Sequence, residues 1–388
     1  MDNEPAIHIV SEICTTRGST FVSDSSAEHG KRLKLDSVSQ SIPTGVGKME
    51  SSIREATAAV EAMSSEEEVR IHEIRQLILA NEPDKEYEFE LSFSSYEKLK
   101  AEFVKDEENE DYPRLFYDWT RHEITIVTVP SRLHEDTSRA ILDCIYNRAQ
   151  SIIERERINL PADEMLGITS SPRTLVNNRS SRFHIEPDGL IFFETVDSVD
   201  FKVVVEVGIS QTYDSLLNKA KKWIFGMKCN IVILIAFNEK RSYSASRKRL
   251  PLTSRQVDDQ VVRMRRHWLS PSASEFGPLV FQGHTYFDEI EEGFIEIVRM
   301  GKDAGGIDNL SKDKYVLVRD GVNEGHSVPW SAGHILLAEL IPPASLGSEA
   351  AGDLVVDFFG ADHYMRIVRH AMVGTAVERF KDAVHFTD

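Results

Sequence analysis

Two runs of sequence decide how this 388-residue chain folds: Glu186-Pro187-Asp188-Gly189-Leu190-Ile191-Phe192-Phe193 and, after a short polar gap, Val203-Val204-Val205-Glu206-Val207-Gly208. Both are dense in β-branched and aromatic residues, the side chains that suit a pleated surface. A hairpin turning near Asp197 and Ser198 places Asp188 directly opposite Glu206. Cross-strand partners have β-carbons roughly 4.5–5.5 Å apart, so the two carboxylates would crowd together at the open end of the hairpin. That is repulsive unless positive charge lies between them. A divalent cation is one solution, since Mg²⁺ commonly takes one or two carboxylates with waters and phosphate oxygens. Two solvent-exposed carboxylates in another register are the alternative.

Working outward, residues 213–225 place Leu216, Leu217, Ala220, Trp223 and Ile224 on one side of a helix. Lys219, three after Leu216 and four before Trp223, shares that inward side, where it could reach the carboxylate pair. Lys222 is less well placed, and Lys221 points away as a solvated charge. Residues 231–237 then form an unbroken apolar run, the mark of a central strand covered on both faces. Upstream, residues 165–168 read as a strand, and 134–155 as a long helix with Ile141, Ile145, Ala149, Ile152 and Ile153 on one face. Residues 86–93 and 123–129 alternate as half-buried strands, the acidic run 106–111 is a solvated loop, and 66–79 suits a charged amphipathic helix. The expected fold class is α/β or α+β, a mixed sheet flanked by helices. Further strands are expected at 279–281 and 315–318, a loop at 341–352 and a terminal helix at 363–384. The chain then divides into a disordered tail (1–68), a core domain (69–240) and a basic segment with C-terminal extension (241–388).

Composition bounds the function. Forty-five basic against 63 acidic side chains leave a net charge of −18, too acidic for indiscriminate coating of nucleic acid. The acidity is uneven, because residues 213–268 carry 13 Lys and Arg against 4 Asp and Glu. That island includes Arg247, Lys248, Arg249, Arg263, Arg265 and Arg266, candidates for phosphate contacts, with His267 and Trp268 beside them for stacking. A solvated basic face that balances the acidic tail explains the same cluster. No apolar run reaches the length of a membrane span, and the start lacks signal-peptide order, so an intracellular protein, in nucleus or cytoplasm and not secreted, is expected. Gly30-Lys31-Arg32-Leu33-Lys34-Leu35 has the character of a nuclear address. Gly45-Val46-Gly47-Lys48 fails as a phosphate loop because Met49 follows it and no strand precedes it. Three dispersed cysteines, Cys14, Cys144 and Cys229, offer neither a disulfide framework nor paired thiolate ligands. None of the 13 histidines has zinc-hydrolase spacing, and His134 is the one placed near the carboxylates.

Taken together, His134-Glu135 opening a leading helix, Pro187-Asp188 before a strand, Glu206-Val207 closing the next, a serine at 210, and Lys219 four before Trp223 carry a family likeness. Over residues 86–237 the chain resembles a restriction endonuclease family of the PD-(D/E)XK phosphodiesterase superfamily. The likeness lies in order and spacing rather than in any single motif. It implies a restriction-endonuclease-like core in which Asp188 and Glu206 bind Mg²⁺ or Mn²⁺, with the Val207 carbonyl as a further ligand. It also implies that Glu135 reaches the same site and that the superfamily's catalytic lysine is supplied by Lys219. Gly208 stands where the superfamily places that lysine, two after the glutamate, and supplies no charge. Ser210, Gln211 and Asp214 lie nearby, Asp214 suiting the helix N-terminus. The implied activity is metal-dependent cleavage of a nucleic-acid phosphodiester, DNA foremost, by an enzyme that often acts as a homodimer. Two other classes stay open: a catalytically degenerate nuclease fold that binds nucleic acid or protein, and an unrelated α/β interaction protein with coincidental carboxylates.

Overall fold

The computed structural model describes residues 66–80, 82–104, 113–169, 174–177, 182–209, 211–241, 243, 250–301, 309–328, 334–357 and 360–387. Residues 1–65 of the expected tail with the nuclear-address cluster, the acidic loop 106–111, Ser210, Arg247, Lys248 and Arg249 lie outside the described residues, while residues 66–68, also assigned to the tail, are helical. The described residues fall into two units, 66–80 and 82–387. In the first, the described part is a helix, α1 (66–80), with Ile74 and Ile78 buried.

In the larger unit the apolar run at 231–237 is the middle of a sheet, as its composition requires. β1 (Glu86–Glu90), β2 (Arg114–Asp118), β3 (Glu123–Val127) and, after β4 (Met165–Thr169), β5 (Thr174–Asn177) and β6 (Arg182–Ile185) precede the hairpin β7 (Gly189–Glu194) and β8 (Val199–Ile209). β9 (Ile231–Glu239) follows, then three short strands, β10 (Leu250–Leu252), β11 (Leu279–Phe281) and β12 (His284–Phe287), and finally β13 (Ile290–Met300), β14 (Leu310–Arg319) and β15 (Val322–Asn323). Seven of these form a mixed sheet in the order β15-β14-β13-β9-β8-β7-β4, with β9 at its centre and parallel to β8. β1-β3-β2-β6-β5 form a second, five-stranded sheet, which contains the two alternating strands expected at 86–93 and 123–129. Pairing of β13 with β9 also carries the large sheet past residue 240, where composition alone suggested a boundary.

Period-two alternation divides the large sheet's two faces. Val203, Val205, Val207, Ile231, Ile233 and Ile235 face a core containing Leu133, Ile141, Leu142 and Ile145 of helix α3 (Arg132–Arg155). Val204, Val232 and Leu234 face Leu216 and Ala220 of α4 (Tyr213–Lys221), with Trp223 and Ile224 of the π-helical turn at Lys222–Gly226 that continues it. α2 (Phe93–Phe103) begins where the first strand was expected to end. α5 (Ser254–Trp268) adds Met264 and Trp268 to the α3 side. After the single-turn helix α6 (Leu337–Leu340), two more, α7 (Pro343–Leu346) and α8 (Glu349–Gly352), occupy the expected loop, before the long terminal helix α9 (Ala361–Asp382). Two glycines let the helices approach. A Cβ on Gly189 would lie 1.9 Å from Leu142 of α3, and one on Gly208 would lie 2.8 Å from Leu216 of α4. No helix among the described residues is long and apolar enough to cross a membrane.

Candidate functional site

The hairpin has the anticipated register at its open end. Gly189 pairs with Val205, Leu190 with Val204 and Ile191 with Val203, which makes Asp188 and Glu206 cross-strand neighbours. A bulge between Ile191 and Phe192 shifts the pairing beyond it, and Thr195 N–H donates to the Ser198 carbonyl (2.8 Å) to close the turn. Asp188 donates its own N–H to the Val205 carbonyl (3.1 Å), and its Oδ2 accepts the Val207 N–H (2.6 Å). Val207, expected to contribute a carbonyl, is therefore engaged through its amide.

Positive charge reaches Asp188 from the start of α3. Ser131 caps that helix, and its own N–H donates to Asp84 Oδ1 (2.7 Å), which fixes the entry of the chain. His134, in the first turn, then lies between two carboxylates: Nε2 is 2.9 Å from Asp188 Oδ2 and Nδ1 is 3.4 Å from Asp84 Oδ1. Burial disfavours an imidazolium, but Asp188 and Asp84 outweigh it and raise the His134 pKa to about 10. Burial likewise opposes ionisation of Asp188, yet His134, Lys219 and the Val207 amide hold its pKa below the usual carboxylate value. Glu135 does not join them. It is exposed on the outer side of the first turn, beside Arg132 and Glu378, because one step along a helix turns a side chain by about 100°. The likeness placed an acid from α3 at the site, whereas the structure places the neighbouring cation there.

Glu206 is addressed from the other face. It is 1% exposed, in the middle of a strand under α4. Trp223 Nε1 donates to its Oε1 (2.5 Å), and Lys219 Nζ lies 3.6 Å from its Oε2. The same ammonium is 2.6 Å from Glu86 Oε2 on β1, and Gln211 Nε2 also donates to Glu86 Oε2 (3.2 Å). Burial dominates at Glu206 and, reinforced by Asp188 and Glu86 against Lys219 and Trp223, raises its pKa to about 8. Lys219 moves up despite its burial, because Glu86, Glu206 and Asp188 surround it. The spacing argument thus placed Lys219 correctly on the face of α4 turned toward Glu206. Gly208 shares the α4-facing side of β8 with Glu206, and Leu216 fills the space above it, so a side chain at 208 would meet α4.

These groups border a narrow pocket that is partly open to solvent. Asp84, Glu86, His134, Asp188, Val207, Gln211 and Lys219 line it, as do Arg114 and Glu186, which form a buried ion pair. Glu206 lies behind that lining. Asp84 Oδ2, Glu206 Oε2 and Gln211 Oε1 are buried without a hydrogen bond. Among the described residues no group of three or more His, Cys, Asp or Glu is arranged to hold a metal ion. Asp188 and Glu206 instead make a two-carboxylate set in which the buried Glu206 Oε2 accepts no hydrogen bond, a donor set of the kind a hard cation takes with waters or phosphate oxygens in its remaining positions. Residue patterns gave no notice of Asp84, Glu86 or Arg114. Glu86 and Arg114 lie on strands of the second sheet, Asp84 just before its first strand, and only the packing of the two sheets brings them here.

Of the proposed nucleic-acid contacts that are described, Arg263, Arg265 and Arg266 are exposed near the end of α5, where their charge also complements the helix dipole. Trp268 is not available for stacking on a base. It is 2% exposed, donates Nε1–H to the Val280 carbonyl (3.0 Å) and packs against Phe281 and Tyr286. The apolar position that buries it follows Val257 and Met264 along one face of α5. Asp214 lies in the first turn of α4, whose cap is Thr212. Comparison with protein-family models, curated proteins and solved structures finds no match for this chain.

Proposed function

We propose that this protein is a metal-dependent phosphodiesterase of the PD-(D/E)XK type, acting on nucleic acid with DNA as the substrate class. The observation that supports the reading most is that Lys219 stands 3.6 Å from Glu206 while Asp188 lies opposite Glu206 across the hairpin, with Asp188 and Lys219 lining one pocket and Glu206 just behind them. Asp188 and Glu206 would hold Mg²⁺ or Mn²⁺. The bound ion would polarise the scissile phosphate and acidify a water. The remaining work belongs to side chains. His134 neutralises and orients Asp188, Trp223 fixes Glu206, and Glu86 and Gln211 hold Lys219 ready to position water or stabilise developing negative charge. The arginines of α5 would add salt-sensitive phosphate contacts, and a homodimer would present two such pockets to a duplex.

The test is metal-dependent nicking of supercoiled plasmid by the purified chain, compared with Asp188→Ala and Glu206→Ala. Loss of nicking by at least about a hundredfold in both variants is expected, since each removes a ligand from a two-carboxylate site. Equal nicking by all three proteins would sink the proposal. A second reading, a degenerate nuclease fold that binds without cutting, is favoured by one observation: Glu206 lies behind the pocket lining, with Lys219 already paired to Glu86. That reading predicts DNA retention by gel shift in chelator, unchanged in Asp188→Ala.

A further inference from the structure

The π-helical turn at Lys222–Gly226 calls for a reason, because such turns widen a helix by one residue and concentrate at functional sites. Its second residue, Trp223, is fully buried and donates its indole N–H to Glu206 Oε1 at 2.5 Å. Apolar packing alone, against Phe201, Val204 and Leu216, would be satisfied by phenylalanine and would ask for no donor. The indole nitrogen meets the one buried carboxylate of the sheet's α4 face that also faces Lys219. Lys219 and Trp223 are four residues apart, hence on one helical face, and each addresses a different oxygen of the same carboxylate. With Oε1 bound to the indole, Oε2 is the oxygen left buried and uncommitted.

We infer that Trp223 is a positioning residue for the metal site: it anchors Glu206 by one oxygen so that the other is presented to the cation and to Lys219. The inference rests on the proposed metal-dependent reading and adds a residue to it. A donor that orients a ligating carboxylate typically controls metal affinity by tenfold or more, although it never touches the metal.

The unmodified chain supplies the first measurement. Among its four tryptophans, the Trp223 indole ¹H–¹⁵N resonance, assigned by its loss in Trp223→Phe, should move as Mg²⁺ is added. Its half-saturation should match direct Mg²⁺ binding by calorimetry, and the response should vanish in Glu206→Ala. Trp223→Phe, which keeps the aromatic packing, should bind Mn²⁺ about tenfold more weakly and nick DNA with reduced kcat at unchanged KM. If the wild-type chain binds Mn²⁺ through Asp188 and Glu206, but Trp223→Phe binds equally well or the indole resonance stays still, this inference is overturned and the metal site stands. If the wild-type chain binds neither Mg²⁺ nor Mn²⁺, the metal-dependent reading fails first and this inference falls with it.

Discussion

Glu239 and Glu206 are both buried carboxylates on adjacent central strands, β9 and β8, and the molecule treats them in opposite ways. Glu239 is fully answered. Arg379 of α9 approaches it with two nitrogens, at 2.6 and 2.9 Å, and the Asp288 N–H adds a third donor to Oε2 at 3.1 Å. The guanidinium is held in turn by the Tyr286 carbonyl and lies over the rings of Tyr243 and Phe287. Glu206 has one hydrogen bond, an ammonium 3.6 Å away, and an oxygen with no donor. A buried bidentate pair with added donors ties elements together. A buried carboxylate left half satisfied costs stability, and such costs cluster where binding or catalysis needs them. The difference separates an ion pair that joins α9 to β9 from a carboxylate whose second oxygen accepts no hydrogen bond.

The comparison can be broken most forcefully at Arg379. Arg379→Ala would strand Glu239 without its counter-charge and should lower unfolding free energy by about 3–5 kcal/mol in urea titration. A loss under 1 kcal/mol would erase the contrast. Glu206→Gln should do the reverse, because the amide keeps an acceptor for Trp223 and discards a charge that the folded state resists. The sign follows from linkage. With its pKa raised from 4.5 to about 8, Glu206 stays protonated in the folded chain while the unfolded chain ionises, so metal-free stability falls as pH climbs through that window. His134 adds a decline in a later window: its stabilisation is complete below its ordinary value of 6.5 and is lost as pH rises through about 10. Glu206→Gln should therefore be more stable than the unmodified chain at pH 8 and flatten the profile between pH 4.5 and 8, read by thermal unfolding in chelator.

Smaller effects sharpen the local picture. Gly208→Ala places a methyl 2.8 Å from Leu216 and should cost about 1 kcal/mol, whereas an open site there would tolerate it freely. Replacing Arg263, Arg265 and Arg266 together by Ala should change stability by less than about 0.5 kcal/mol and reduce the salt slope of DNA binding by about 3. An unchanged slope would assign them to solvent alone.

Much of this architecture was legible from the chain, and the places where legibility ended are specific. The apolar run ending at Phe237 announced the central strand because only a strand covered on both faces tolerates seven such residues. The hairpin register at Asp188 was legible because slipping by one residue would turn Leu190 and Val204 out of their core. Lys219 was legible from helical spacing. The choice between His134 and Glu135 was not, since adjacent helical residues differ only in the angle at which the helix is seated on the sheet. Trp268 looked like a stacking platform beside three arginines, and only the packing of α5 against β11 and β12 shows its indole committed inside.

The sequence by itself determined the strands, the helices and the crossing of two carboxylates over one hairpin, because these follow from periodicity and from pairing between near neighbours. What only the tertiary structure decided is which charges answer those carboxylates. Asp84 and Glu86 at the first strand, His134 on α3 and Lys219 with Trp223 on α4 arrive from segments far apart in the chain. Their convergence depends on how two sheets and two helices seat against one another, and that is fixed by burial of side chains over long sequence separations rather than by any local pattern.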